Sequence, residues 1–277
     1  MMGVAVNGAD LEWRERGRGD AILFIHGFPF NSAMWGAQLA TLPPGWRGIA
    51  PDLRGFGASE RGHRDVLDMP RFADDVITFL DQLGIERTVV CGLSMGGYVA
   101  FEMWRHHPDR IRGLVLCDTR AGTDSPEAQR GRRQLAEKVL ADGQQVVIDG
   151  MLPKLLAPMT LRRRKDIVSF VAAMMAETSR DTIARALIGM AIRPDSEPVL
   201  RTIDVPVLIM VGEEDVITNR GHAEMMARGI RGARLESIPA AGHLPNLEQP
   251  EDFNHALNQF LAGLPRDTLS TRAVLPV

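Results

Sequence analysis

Val89-Val90-Cys91-Gly92-Leu93-Ser94-Met95-Gly96-Gly97-Tyr98 passes from a β-branched apolar run into a helical pattern, with a serine flanked by glycines at the join. A Gly-x-Ser-x-Gly sequence between a strand and a helix forms a sharp turn. The turn strains the serine backbone and projects its hydroxyl from the end of a sheet. Gly92 and Gly96 let neighbouring segments approach closely, and the start of the following helix favours negative charge beside the hydroxyl. Ser94 is therefore the candidate nucleophile. The plainer alternative is a serine that merely caps a helix.

The alternation extends outward from this stretch. Short apolar runs at 21–25, 47–50, 88–91, 113–117, 207–211 and 234–238 read as buried strands. Helical patterns at 70–83, 95–107, 221–228 and 250–261 separate them. This order predicts an α/β fold with a mostly parallel sheet covered by helices on both faces. The polar pieces at 3–7 and 11–16 fit an antiparallel edge. Between 120 and 200 the rhythm stops. Helices are expected there over 125–141, 144–152, 162–177 and 181–190, punctuated by Pro153, Pro158 and Pro194. The expected organisation is a core over 1–119 and 201–265, a helical cap over 120–200, and a loose tail over 266–277. Such a cap would lie over the strand ends, where open α/β sheets bind ligands.

A serine hydroxyl attacks well only when a base takes its proton. Of the seven histidines, His243 follows the last strand run and precedes the final helix, which brings it to the same sheet end as Ser94. His106 and His107 end the helix after Ser94 and point away from its start. His63, His222 and His255 sit in exposed-looking contexts, and His26 opens the turn after an early strand. The base in turn needs a carboxylate to fix its tautomer. Asp215, just beyond the run 207–211, is the candidate. Glu213 and Glu214 compete locally, and Asp118 is a rival because it also ends a strand run. Ser94, Asp215 and His243 follow the chain order Ser…Asp…His. Charge developing on an attacked carbonyl oxygen needs amide donors. Met95, directly after the serine, and Phe28, in His26-Gly27-Phe28-Pro29, are the candidates. Pro29 has no N–H and restricts Phe28 to extended geometry. A simple tight turn is the alternative for that stretch.

Composition removes other classes. The chain has 277 residues, 45% hydrophobic and 24% charged, with 32 Lys+Arg against 35 Asp+Glu. That is too apolar for a disordered protein. A net charge of −3 gives no field for nucleic acid, so no nucleic-acid partner is expected. Two cysteines, Cys91 and Cys117, exclude a disulfide scaffold and a four-thiolate zinc site. No apolar run approaches the ~20 residues of a membrane span. The opening segment lacks the basic-then-apolar order of a secretion signal, so a cytoplasmic protein with no membrane partner is expected. No metal-ligand spacing occurs, and Gly55-Phe56-Gly57 does not continue into a dinucleotide fingerprint. No metal and no cofactor are expected. Residues 120–200 hold 13 Lys+Arg and 10 Asp+Glu, against a net −6 elsewhere. A basic cap would attract a carboxylate-bearing substrate; a solvated start of a helix at 162–165 is the plainer reading.

HGFP (26–29), PDLRGFGAS (51–59), GLSMGG (92–97), GEEDVIT (212–218) and GHLPNLEQPEDFN (242–254) together resemble the α/β-hydrolase superfamily, in the family's order. The resemblance implies an eight-stranded, mostly parallel sheet with an inserted cap after the sixth strand. Carried over position by position, it implies Ser94 as nucleophile, Asp215 as acid, His243 as base, and Phe28 and Met95 as oxyanion donors. LVLCDTRAGTDSPE (114–127) is similar to bacterial esterases and to 3-oxoadipate enol-lactonase-like members. HGFPFNSAMW (26–35) is also similar to cofactor-free haloperoxidases. A serine at the nucleophile position argues against haloalkane dehalogenases and epoxide hydrolases, whose covalent step needs a carboxylate. The expected activity is hydrolysis of a small-molecule carboxylic ester through an acyl-enzyme, with a lactonase as the alternative. Perhydrolysis, carbon–carbon bond hydrolysis and ligand sensing with vestigial turnover are lesser ones.

Overall fold

The computed structural model describes residues 2–62 and 66–265. The expected tail at 266–277 and His63 lie outside the described residues. Strands β1 (Met2–Val6) and β2 (Ala9–Gly17) form an antiparallel edge. β2 pairs antiparallel with β4 (Trp46–Pro51). β3 (Asp20–Ile25), β4, β5 (Thr88–Leu93), β6 (Ile111–Cys117), β7 (Val207–Gly212) and β8 (Arg234–Ile238) run parallel. They make one eight-stranded sheet in the order β1-β2-β4-β3-β5-β6-β7-β8. Every residue of β5, β6 and β7 is buried, and for that reason these strands read as unbroken apolar runs. The edge strands β1 and β8 keep exposed and half-buried positions.

Four of the α-helices begin where a side chain satisfies a free backbone amide. Asp68 accepts the Arg71 N–H at 3.0 Å ahead of α2 (Met69–Gln82), and Pro70 sits in the first turn, where no N–H is needed. Asn219 accepts the Gly221 N–H at 3.1 Å ahead of α9 (Arg220–Gly229). Helices α1 (Gly36–Thr41), α3 (Met95–His106), α10 (Pro245–Glu248) and α11 (Pro250–Gly263) complete the cover. Trp35 is fully buried against Phe24 and Phe253, at centroid distances of 5.1 and 6.2 Å, so it packs the core. Cys91 and Cys117 are buried free thiols on neighbouring strands.

Between β6 and β7 lie α4 (Pro126–Asp142), α5 (Gln145–Leu155), α6 (Pro158–Arg163), α7 (Lys165–Glu177) and α8 (Arg180–Ala191). Two helix readings need correction. The expected helix at 162–177 is interrupted at Arg164, whose φ −109° and ψ 67° are not helical. Pro158 starts a separate helix there. Arg164 turns out of the helical path and pairs with Asp166 at 3.0 Å. Pro153 does not end α5 but lies inside its last turn, where only one hydrogen bond is lost. The 162–165 cations are exposed, in keeping with the solvated reading. Asp124 ties the start of this segment to its end: its enclosed carboxylate meets Arg120, Arg132 (2.5 Å) and Arg193 (3.0 Å).

The topology sets where a ligand can meet the sheet. β3 pairs with β4 on one side and β5 on the other, so the strand order reverses between β3 and β5. A crevice opens beyond the carboxyl ends at such a point. Register aligns Ile25 with Gly92, Leu93 with Cys117 and Gly212 with Ile238. The turns after β3, β5, β6, β7 and β8 therefore share one edge.

Candidate active site

Ser94 sits between β5 and α3 at φ 53°, ψ −111°, a left-handed backbone that costs a non-glycine residue of order 1–3 kcal/mol. Its neighbours explain how that turn is tolerated. A Cβ on Gly92 would collide with the Gly96 carbonyl, and one on Gly96 would collide with the Ile25 carbonyl. The Ser94 N–H donates to Cys117 O at 2.9 Å, and Thr119 Oγ1 donates to Ser94 O at 2.8 Å. The end of β6 thus holds the turn. The Ser94 hydroxyl makes no hydrogen bond among the described residues, and its residue is half-buried.

The turn after β3 abuts this one. His26 is fully buried; its Nδ1 donates to Gly27 O at 2.9 Å and its Nε2 accepts the Leu53 N–H at 3.0 Å. Burial pushes its pKa down, which suits that neutral, bridging form. Asp52 accepts the Ser32 N–H at 2.7 Å and the Ala58 N–H at 2.9 Å. The stretch 51–59 is thereby the brace of the turn 26–32. The Phe28–Pro29 peptide is cis. The N–H groups of Phe28 and Met95 have no acceptor among the described residues, and both residues are buried. Such amides are free to receive a negatively charged oxygen.

His243 and Asp215 meet at 2.9 Å, Nδ1 to Oδ2, and both are buried. Asp215 also accepts the Ile217 N–H (2.7 Å), the Thr218 N–H (3.1 Å) and the Thr218 hydroxyl (2.7 Å). Burial alone would raise its pKa. The charge and hydrogen bond of His243, with the Thr218 and Ile217 donors, outweigh burial and hold the carboxyl well below the usual carboxylate range. An ionised Asp215 accepts only, so Nδ1 carries the proton and Nε2 keeps a lone pair. Nε2 and the Ser94 hydroxyl are not hydrogen-bonded to each other among the described residues. Such bonds are often long without a substrate. Thr218 is a site residue that the motifs do not mark, although Asp-x-x-Thr is a spacing at which an aspartate binds its own turn.

Asp118 enters the same cluster. Its residue is left-handed at φ 42°, its Oδ1 accepts the Gly212 N–H at 2.9 Å, and its Oδ2 is enclosed with no hydrogen-bond partner among the described residues. Ligand atoms of Asp118, Asp215 and His243 lie within 4.8 Å of one another, the set among the described residues that could approach a metal. Four donors already occupy the Asp215 oxygens, which suits a hydrogen-bond acceptor better than a metal ligand. Burial, then the Asp215 charge, pushes the Asp118 carboxyl well above the ordinary aspartate value. A carboxyl raised in the fold stabilises the protein below its unfolded pKa, about 4, and that stability is lost as pH rises through the folded value. Asp118→Asn keeps the acceptor and removes the ionisation. Urea unfolding from pH 5 to 7 is expected to favour the variant increasingly, by up to roughly 1.4 kcal/mol per pH unit. A constant difference would show that Asp118 ionises normally.

The remaining histidines divide differently from their sequence contexts. His106 and His107 lie near Glu102 (3.6 Å) and Asp74 (3.8 Å), away from Ser94. His255 is exposed and bonds Gln259. His222 is not simply solvated: it is half-buried, its Nδ1 is enclosed, and burial followed by the Arg120 charge lowers its pKa.

The family model for the alpha/beta hydrolase family matches residues 22–256, and the chain belongs to that family. It is similar to a thermophilic esterase from Thermogutta terrifontis, solved with malate bound. That match has 39% identity and a TM-score of 0.92, over 95% of this chain and 98% of that one. It is 28% identical to 3-oxoadipate enol-lactonase 2 of Acinetobacter baylyi, over 92% of each chain. The enol-lactonase from Burkholderia xenovorans matches at 28% identity and a TM-score of 0.88, over 94% of this chain and 100% of that one. No helix among the described residues is long and apolar enough to cross a membrane.

Proposed function

We propose that the protein is a serine hydrolase that cleaves small carboxylic esters through an acyl-enzyme. In this reading residues 1–119 and 201–265 form the core, 120–200 form a cap over the site, and the enzyme works in the cytoplasm. Ser94 Oγ attacks the acyl carbon while His243 Nε2 takes its proton. Asp215 fixes the imidazole and stabilises its charged form. The Phe28 and Met95 amides hold the oxyanion, each such donor being worth roughly 10²–10³ in rate. His243 then protonates the leaving alkoxide, and later takes a proton from the water that releases the acid. The observation that carries this reading is the buried Asp215–His243 bond of 2.9 Å, at the same sheet edge as the strained Ser94 turn.

A lactonase using the same groups is the second reading, favoured by the enol-lactonases among the relatives. A ring ester differs only in that its leaving group stays tethered. The 39% identity to an esterase, against 28% to the lactonases, supports acyclic esters first. A pH-stat panel of short esters, long esters and lactones tests this. Short acyclic esters are expected to give the highest kcat/KM; lactones turned over faster would install the second reading.

A further inference from the structure

Glu248, the last residue of α10, is 2% exposed, yet no step above uses it. Its two oxygens serve different parts of the molecule. Oε1 accepts the Gly242 N–H at 2.7 Å, directly before the candidate base. Oε2 accepts the Ala157 N–H at 2.8 Å, in the turn between α5 and α6. Beside this bridge the His243 N–H donates to Leu155 O at 2.9 Å, taking a carbonyl that the end of α5 leaves free. The two backbones are in direct contact: a Cβ on Gly242 would sit 2.8 Å from Ala157 N and 3.0 Å from Leu155 O. From the other side, the Glu214 N–H donates to Ala241 O at 2.8 Å. The histidine loop is thus held between the end of β7 and the helical segment.

We infer that Glu248 is a positioning residue: its carboxylate fastens the Gly242–His243 loop to the Leu155–Ala157 turn, so the lie of the helical segment sets the place of the His243 ring. The inference rests on the hydrolase reading for its catalytic consequence. Burial pushes the Glu248 pKa above the ordinary glutamate value, while Thr160 and the amides of Ala157, Gly242 and Leu244 pull it back. A carboxylate is the group that fits, because two N–H donors converge on two separate oxygens. Glutamine in either orientation turns an NH₂ toward one of them. Ligand-driven movement of α5 or α6 would therefore reach the base through this bridge.

Two variants cut the bridge from opposite ends. Glu248→Gln alters the acceptor. Ala157→Pro removes the donor and points its ring Cδ at the carboxylate, while the backbone dihedrals suit proline: Ala157 has φ −57°, and Leu156 before it has φ −118°, ψ 146°. Kinetics on a short ester and the low-field Nδ1 proton resonance of His243 are measured on the full chain. Each variant is expected to lower kcat by roughly tenfold or more, as a displaced reacting group does, with KM nearly unchanged and the resonance shifted or broadened. The double variant is expected to lose little beyond either single one. Variants that melt earlier yet keep wild-type kcat and resonance would overturn the inference. The resonance needs no turnover. A wild type that hydrolyses no ester, with the resonance still moved in both variants, would remove the hydrolase reading and leave the bridge standing.

Discussion

Ser94→Ala is expected to lower turnover of a short ester by roughly 10⁴–10⁶-fold with KM little changed, because the proposed attacking atom is removed while binding is not. The fold should survive the change. The Ser94 hydroxyl makes no hydrogen bond among the described residues, so nothing is left unsatisfied. The contacts that hold the turn, to Cys117 O and from Thr119 Oγ1, are made by the backbone of residue 94. Alanine bears the same left-handed φ at about the same cost. The melting temperature is the control. A folded variant within tenfold of wild type would remove Ser94 from the chemistry.

The second large effect separates two aspartates. In Asp215→Asn the Ile217 and Thr218 amides select the amide oxygen, which leaves the NH₂ facing His243. The ring must then accept at Nδ1 and carry its proton on Nε2, the wrong tautomer for a base. A loss of about 10⁴ in kcat is expected, the size seen for this change in serine proteases. Asp118→Asn should stay within about tenfold, since asparagine keeps the acceptor for the Gly212 N–H and introduces no charge. Parallel measurement of kcat for both variants decides the matter. The reverse ranking would make Asp118 the acid.

Much of this arrangement could be read from the chain because its signals are local. β5, β6 and β7 are buried on both faces, so each shows as an apolar run. The Ser94 turn declares itself through glycines that close packing demands. What escaped reading depends on contacts distant in sequence or on signals that cancel. The break at Arg164 is hidden because apolar residues on either side, such as Leu161 and Val168, keep a helical spacing across it. Pro153 suggests an end that a last helical turn tolerates. Glu248 looks like an ordinary helix carboxylate. Its partner Ala157 lies 91 positions away, and no local pattern announces such a bond. His222 seems solvated in sequence, but burial, with the Arg120 charge beside it, is set by the fold.

Covalent capture tests Ser94 as the activated nucleophile without a known substrate. Folded wild-type protein is treated with a fluorophosphonate, and the adduct is read by intact mass and peptide mapping. The predicted result is one phosphonyl group per chain, located on Ser94 and absent from Ser94→Ala. Folded wild-type protein that stays unlabelled, or carries the group on another residue, would rule Ser94 out as the activated nucleophile.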